Sequence, residues 1–261
     1  MSNIKLFQLN QGNDNSIKFL IAIATRKNET ELEQLPIYKT VFNCMKFNDS
    51  ITLNCAIAFE NKNGLSTVYN NIIKTYKSYD YILFIHDDLW LNDVLFIDKI
   101  LSASKEFDLI GSCGGKSWER DSDINKPIIW TSASRDNGMS GFMVHAADGN
   151  KINVKLHSLY NGRGLFATNY GICPARVLTI DGSFICFTKK AITENLRFDE
   201  IFKFHYYDMD ISFQAYTKHL KTGTCAVLIT HESLGESVSQ SEYMEAQKKF
   251  LDKWFEEKEN K

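Results

Sequence analysis

The chain has 261 residues, 44% of them hydrophobic and 13% aromatic, enough to bury one large domain or two small ones, while three prolines are too few for a stiff linker. Thirty basic residues stand against thirty-two acidic ones, a formal charge of -2 with no basic run, which excludes a dedicated nucleic-acid binder. Met1-Ser2-Asn3-Ile4-Lys5 has no apolar signal-peptide core and no apolar run reaches the length of a membrane span, so a cytoplasmic protein is expected. Cys44, Cys55, Cys113, Cys173, Cys186 and Cys225 include no C-x-x-C pair. Their mostly apolar neighbours point to reduced, packed thiols, not disulfides or structural zinc.

Ile17 to Ala24 reads as a first apolar strand, ended by the polar turn Thr25-Arg26-Lys27-Asn28. From Glu29 to Asn43, Leu32, Leu35, Tyr38 and Phe42 recur near one helical face, with Pro36 marking a start or a kink. A second strand is expected over Ser50 to Phe59, followed by the turn Glu60-Asn61-Lys62-Asn63-Gly64. Leu65 to Tyr76 then carries Leu65, Val68 or Tyr69, Ile72, Ile73 and Tyr76 along one side of a helix. Tyr81-Ile82-Leu83-Phe84-Ile85 is an unbroken apolar run too short for an ordinary helix, and predicts a strand buried on both faces. Strand, helix, strand, helix, strand predicts a doubly wound, mainly parallel α/β sheet whose carboxyl ends share one edge. Asn92 or Asp93 is placed to cap a helix through about Ser104, with Val94, Ile97 and Leu101 facing inward. Phe107 to Gly115 reads as a strand dissolving into a glycine turn.

Periodicity weakens from Lys116 to about Pro174, where Arg135-Asp136-Asn137-Gly138, Asp148-Gly149-Asn150 and Asn161-Gly162-Arg163-Gly164 predict hairpins and a lid or substrate-binding region. Arg163 is either an anion contact or an exposed turn arginine. Order returns over Arg176 to Lys190, with a helix starting at Ala191, then Phe198 to Tyr216 and a strand over Thr224 to Thr230 that ends at His231. A last helix from Gln240 to about Glu257 gathers Tyr243, Met244, Phe250, Leu251, Trp254 and Phe255 on one side. That face either docks on the domain or meets a membrane surface, a partner or a second copy.

His86, Asp87 and Asp88 follow directly on the buried strand, at the edge where open α/β sheets bind ligands. The plainer reading is that the two aspartates solvate a turn. Asp208 and Asp210 are candidates for chemistry or for capping the helix that Ile211, Phe213 and Tyr216 open, and Asp181-Gly182 is also a hairpin-turn signal.

Taken together, Asn63-Gly64-Leu65-Ser66, Tyr69-Asn70, Phe84-Ile85-His86-Asp87-Asp88, Asp181-Gly182, Tyr207-Asp208-Met209-Asp210-Ile211 and His231 resemble a GT-A glycosyltransferase of the family 2 type. More narrowly they resemble the subgroup named after a streptomycin biosynthesis protein. The resemblance runs from Ile17 to Ser233. It implies a single GT-A domain over residues 1–237, with an acceptor or lid region about 116–174 and a C-terminal helix over 238–261. It also implies an inverting transfer from a nucleoside-diphosphate sugar to a glycan or glycoconjugate hydroxyl in surface-glycan assembly, with Mn2+ or Mg2+ as cofactor. In it Asp88 and His231 hold the metal and Asp208 is the catalytic base. Thr25, Glu60, Asn63, His86 and Asp87 lie toward the donor, and Asp181, Gly182 and Asp210 toward the sugar and acceptor. The chain departs from the pattern at His86, in the place that commonly meets the ribose, and at Tyr207, where a Glu usually precedes the base. The acidic turn common after the second strand is missing too. Two other readings remain open: a metal-dependent phosphoester hydrolase gathering His86, Asp87, Asp88, Asp208 and His231, and a non-catalytic sugar-nucleotide-binding or scaffold domain.

Overall fold

The computed structural model describes residues 3–43, 45–116, 138–147, 164–232 and 239–255. Cys44, residues 117–137 and 148–163 of the expected lid region with Arg163, Ser233 and the residues beyond Phe255 lie outside the described residues.

Two sheets form a mixed α/β fold. The larger runs β1 (Asn3–Asn10), β3 (Ile51–Phe59), β2 (Ile17–Ala24), β4 (Tyr81–Ile85), β11 (Phe184–Thr188), β6 (Leu109–Gly111) and β12 (Thr222–Thr224) from edge to edge. Strands β3, β2 and β4 are parallel to one another, as the alternation with helices predicts, and β6 and β12 are also parallel. Elsewhere the sheet departs from that expectation: β1 pairs antiparallel with β3, and β11 inserts antiparallel between β4 and β6. The smaller sheet runs β10 (Thr179–Ile180), β7 (Cys113–Gly115), β8 (Met139–Ala147), β13 (Ile229–His231) and β5 (Leu89–Leu91), with β9 (Gly164–Gly171) paired to β8 as a hairpin.

Period-two alternation sorts the central strands onto two cores. On one face Leu20, Ala22, Ile82 and Phe84 meet Val68, Tyr69, Ile72 and Ile73 of α1 (Leu65–Thr75), together with Ala191 and Ile192 of α3 (Lys189–Thr193) and residues of α4 (Tyr207–Thr217). On the other, Phe19, Ile21, Ile23, Leu83 and Ile85 pack with Leu35, Ile37 and Val41 and with Phe96, Ile97 and Ile100 of α2 (Phe96–Ala103). A strand covered on both sides has no polar face, which is why β4 is apolar throughout.

Several elements differ from the sequence reading. Glu29–Gln34 is a 3-10 helix and Tyr38–Phe42 a π-helix, the two separated at Pro36, whose missing N–H and ring prevent one continuous α-helix. Asp93 does receive the Leu95 N–H at 3.0 Å, but α2 starts only at Phe96, so Val94 precedes it and is exposed. The long strands expected over 107–115, 176–190 and 224–230 are each broken where the chain changes sheet. Among the described residues five connections make that change: β4 to β5, β5 to β6 through α2, β6 to β7, β10 to β11 and β12 to β13. The strands β1 and β5, absent from the sequence reading, are an edge strand and a three-residue strand.

The last helix, α5 (Gln240–Trp254), docks on the domain through its apolar face. Phe250 is fully buried against Phe202, Tyr206 and Phe213, and Trp254 meets Phe213. Asp210, also fully buried, accepts from Lys253 Nζ at 2.7 Å and Trp254 Nε1 at 2.8 Å. Phe250→Ala removes the centre of this contact and should cost about 3–5 kcal/mol, read as a lowered midpoint in thermal or denaturant unfolding.

Candidate functional site

The site lies on the seam between the two sheets. After Ile85 the His86 N–H still bonds to Ser183 O at 3.1 Å, extending the β4–β11 ladder by one rung. The Leu89 N–H then closes a turn on His86 O at 3.3 Å, and the Glu232 N–H bonds to Asp88 O at 3.1 Å in the second sheet. Antiparallel pairing of β13 with β5 sets His231 opposite Leu89. The consequence is convergence: one ligand atom each from His86, Asp88 and His231 lies within 4.8 Å of the others. His231 Nε2 is 3.2 Å and His86 Nδ1 4.0 Å from Asp88 Oδ1.

Charge organises this cluster. Burial raises the Asp88 carboxyl, but the neighbouring His231 and His86 outweigh it and hold the group below its usual range. Burial lowers the His231 imidazole, yet Asp88 pulls it above normal; His86, desolvated and beside His231, is pushed down and stays neutral. Next to them, Thr25 Oγ1 donates to Asp87 Oδ2 at 2.6 Å, joining the ends of β2 and β4. Burial raises the Asp87 carboxyl against that bond.

From the opposite side come the β10–β11 turn and the start of α4. Asp181 Oδ1 accepts from the Ser183 N–H at 2.9 Å, and the Gly182 N–H donates to Asp208 Oδ2 at 3.1 Å. Asp208 Oδ1 accepts from the Met209 N–H at 2.9 Å. Burial, then the nearby Asp181, pushes the Asp208 carboxyl up to about 7 despite those two donors. Tyr206, in the left-handed region at φ 63°, turns the chain into α4. A pocket of about 190 Å³ opens here, lined by His86, His231, Asp181, Asp208, Tyr206 and Tyr243 among others.

No protein-family model matches the chain, and no curated protein matches it. Solved structures similar to the chain include the following two. The crystal structure of A197 from STIV is 12% identical, with a TM-score of 0.43, over 80% of this chain and 82% of that one. The crystal structure of GalNAc-T7 with UDP, GalNAc and Mn2+ is 11% identical, with a TM-score of 0.49, over 94% of this chain and 49% of that one. This chain thus spans about half the length of the GalNAc-T7 chain.

The cluster fits a divalent cation. Asp88 Oδ1 and His231 Nε2 are both buried and meet as an ion pair at 3.2 Å, and among the described residues neither has a well-aligned hydrogen bond to any other group. A poorly aligned buried pair of this kind leaves lone pairs on both groups that a shared cation can take up. Two imidazoles and a carboxylate make a borderline donor set that suits manganese or a later first-row metal better than magnesium.

Sequence reasoning placed Asp88, His231, Asp181, Gly182 and Asp208 at one site, and the structure brings all five to this seam. Asp210 is not brought there. It lies two positions after Asp208 on a helix, so it faces away, and its carboxylate is taken up by Lys253, Trp254 and Gln214. Glu60 and Asn63 are exposed and do not line the pocket; Asn61 of that turn is buried, and its side-chain oxygen accepts from the Asn63 N–H. The glycosyltransferase resemblance put His86 on the donor side and only the hydrolase alternative gave it to a metal, whereas the structure groups it with Asp88 and His231. Its spacing of two from Asp88, which places alternate residues on one side of an extended chain, was the available signal.

Proposed function

We propose that the protein is a metal-dependent inverting glycosyltransferase of the GT-A type, moving a sugar from a nucleoside-diphosphate sugar to a hydroxyl of a glycan or glycoconjugate acceptor, in the cytoplasm and in surface-glycan assembly. The observation that carries this reading is the placing of Asp208, a carboxyl poised near neutrality, in one pocket with His86 and His231 of the His86–Asp88–His231 cluster. A base works best when its pKa lies near the working pH, and Asp208 meets that condition. Asp208 takes the proton of the acceptor hydroxyl as it attacks the anomeric carbon. The Gly182 and Met209 N–H groups fix the orientation of its carboxylate. Asp181 and Gly182 border the sugar, Tyr206 and Tyr243 wall the acceptor side, and the Thr25–Asp87 pair faces the nucleotide.

Asp88, His231 and His86 would hold a divalent cation, which would supply positive charge toward the diphosphate leaving group. The hydrolase alternative calls for a two-metal cluster, and the described residues offer one three-residue group.

The test is calorimetric titration of the purified protein with a panel of nucleoside diphosphates, first with Mn2+ and then with excess chelator. Binding of one nucleotide that disappears with chelator is expected; absence of binding under every condition would sink the donor assignment. In the same titration Mn2+ should support nucleotide binding about 10-fold tighter than Mg2+, since imidazole nitrogen favours the softer ion. Equal support from both ions would exclude His86 and His231 as joint ligands.

A further inference from the structure

A single hydrogen-bond chain runs from the metal-competent cluster to the base, and it passes through Tyr207. A carbonyl oxygen can only accept, so the Tyr207 hydroxyl, 2.8 Å from Gly182 O, spends its one proton there. An ordinary phenol holds its proton at neutral pH, so the hydroxyl remains the donor to that carbonyl. The phenol oxygen is then an acceptor toward His86 Nε2, 2.7 Å away, and Nε2 must carry the ring proton. A neutral imidazole has one N–H. Nδ1, the nitrogen that faces Asp88 Oδ1 at 4.0 Å, is therefore left with a free lone pair.

Gly182 makes this arrangement sterically specific. A Cβ added there would contact the Tyr207 hydroxyl and come within 2.8 Å of its Cζ, so the phenol approaches as closely as it does only because the residue is glycine. The same glycine donates its N–H to Asp208, so one residue fixes both the phenol that orients His86 and the carboxylate of the base.

We propose that Tyr207 is a positioning residue that holds His86 in its Nε2–H tautomer, making Nδ1 the third ligand atom beside Asp88 Oδ1 and His231 Nε2 and so selecting for cations that accept two imidazole nitrogens. The ligand half of this inference rests on the metal reading above; the tautomer half does not. His86 is thereby assigned to the metal instead of the donor ribose.

The experiment is nitrogen-detected NMR of the metal-free full chain with 15N-labelled histidine at about pH 8, where the imidazole is neutral, His86→Ala identifying the resonances. His86 is expected to show a protonated Nε2 and an unprotonated Nδ1, and Tyr207→Phe to abolish that preference while weakening Mn2+ binding about 10-fold in a direct metal titration. An Nδ1–H tautomer in the wild type would overturn the proposal, as would a Tyr207→Phe protein with an unchanged tautomer and wild-type Mn2+ affinity. Should Tyr207→Phe fail to fold, the wild-type tautomer alone decides. A correct tautomer without any Mn2+ binding would instead overturn the metal reading, so the two failures are distinguishable.

Discussion

Asp208→Asn should lower turnover about 10²–10⁴-fold while leaving metal-dependent nucleotide binding intact. The amide keeps the shape of the carboxylate and an oxygen for the Gly182 or Met209 N–H, but it cannot take a proton. In the wild type, turnover should rise with pH through about 7 and level off above it, because only the ionised carboxylate acts as base. Stability should move the other way. The folded state holds a proton on Asp208 up to about pH 7, whereas the unfolded chain releases it near 4, so stability declines as pH rises between those values. Asp208→Asn removes this dependence and should be more stable than the wild type at pH 8, by up to about 4 kcal/mol. Stopped assays across pH and thermal melts at pH 5 and 8 check both halves. Turnover by the Asn variant at the wild-type rate would remove Asp208 from the role of base.

Asp88→Ala should have the second largest effect, abolishing Mn2+-dependent nucleotide binding and, with it, transfer. Asp88 is the one carboxylate among the three clustered groups, and its loss leaves His86 and His231 as neutral donors with no anion to offset a divalent charge. Metal affinity should fall by at least about 100-fold, measured by direct titration. The buried His231 imidazole also loses the partner that raises its pKa, so its titration should shift downward in a histidine NMR pH series. Retention of Mn2+ binding at wild-type affinity would dissociate the cluster from the donor site.

The central strands were legible because burial on both faces forces a continuous apolar run, and β2, β3 and β4 carry one. Strand β1 alternates weakly between half-exposed and exposed positions, and β5 is too short to show any period. The sheet changes at Ser112, between Asp181 and Ser183, and between Thr224 and Ile229 read as single strands or loose turns, because local sequence does not reveal which sheet a strand joins. That explains the antiparallel β11: Phe184–Thr188 is as apolar as β4, and apolarity carries no direction. At the site, Asp88, His231 and Asp208 were readable as polar groups at element ends. Asp210 misled because its separation from Asp208 is short in sequence but spans opposite sides of a helix, and its partners Lys253 and Trp254 lie more than forty positions away. Tyr207 read as a departure because a phenol does not look like part of a metal site until His86 is seen 2.7 Å from it.

The seam between the sheets has a mechanical consequence. His86 and Asp88 leave the larger sheet at the end of β4, whereas His231 belongs to the smaller sheet through β13, so an ion shared by the three is a cross-link between the sheets. A ligand that binds only the folded chain stabilises it by about 2.7 kcal/mol at 100 times its dissociation constant. Here that gain would fall on the contact between two layers, and chelation should loosen their docking before it melts either sheet, speeding hydrogen exchange first in the short strands β5 and β13.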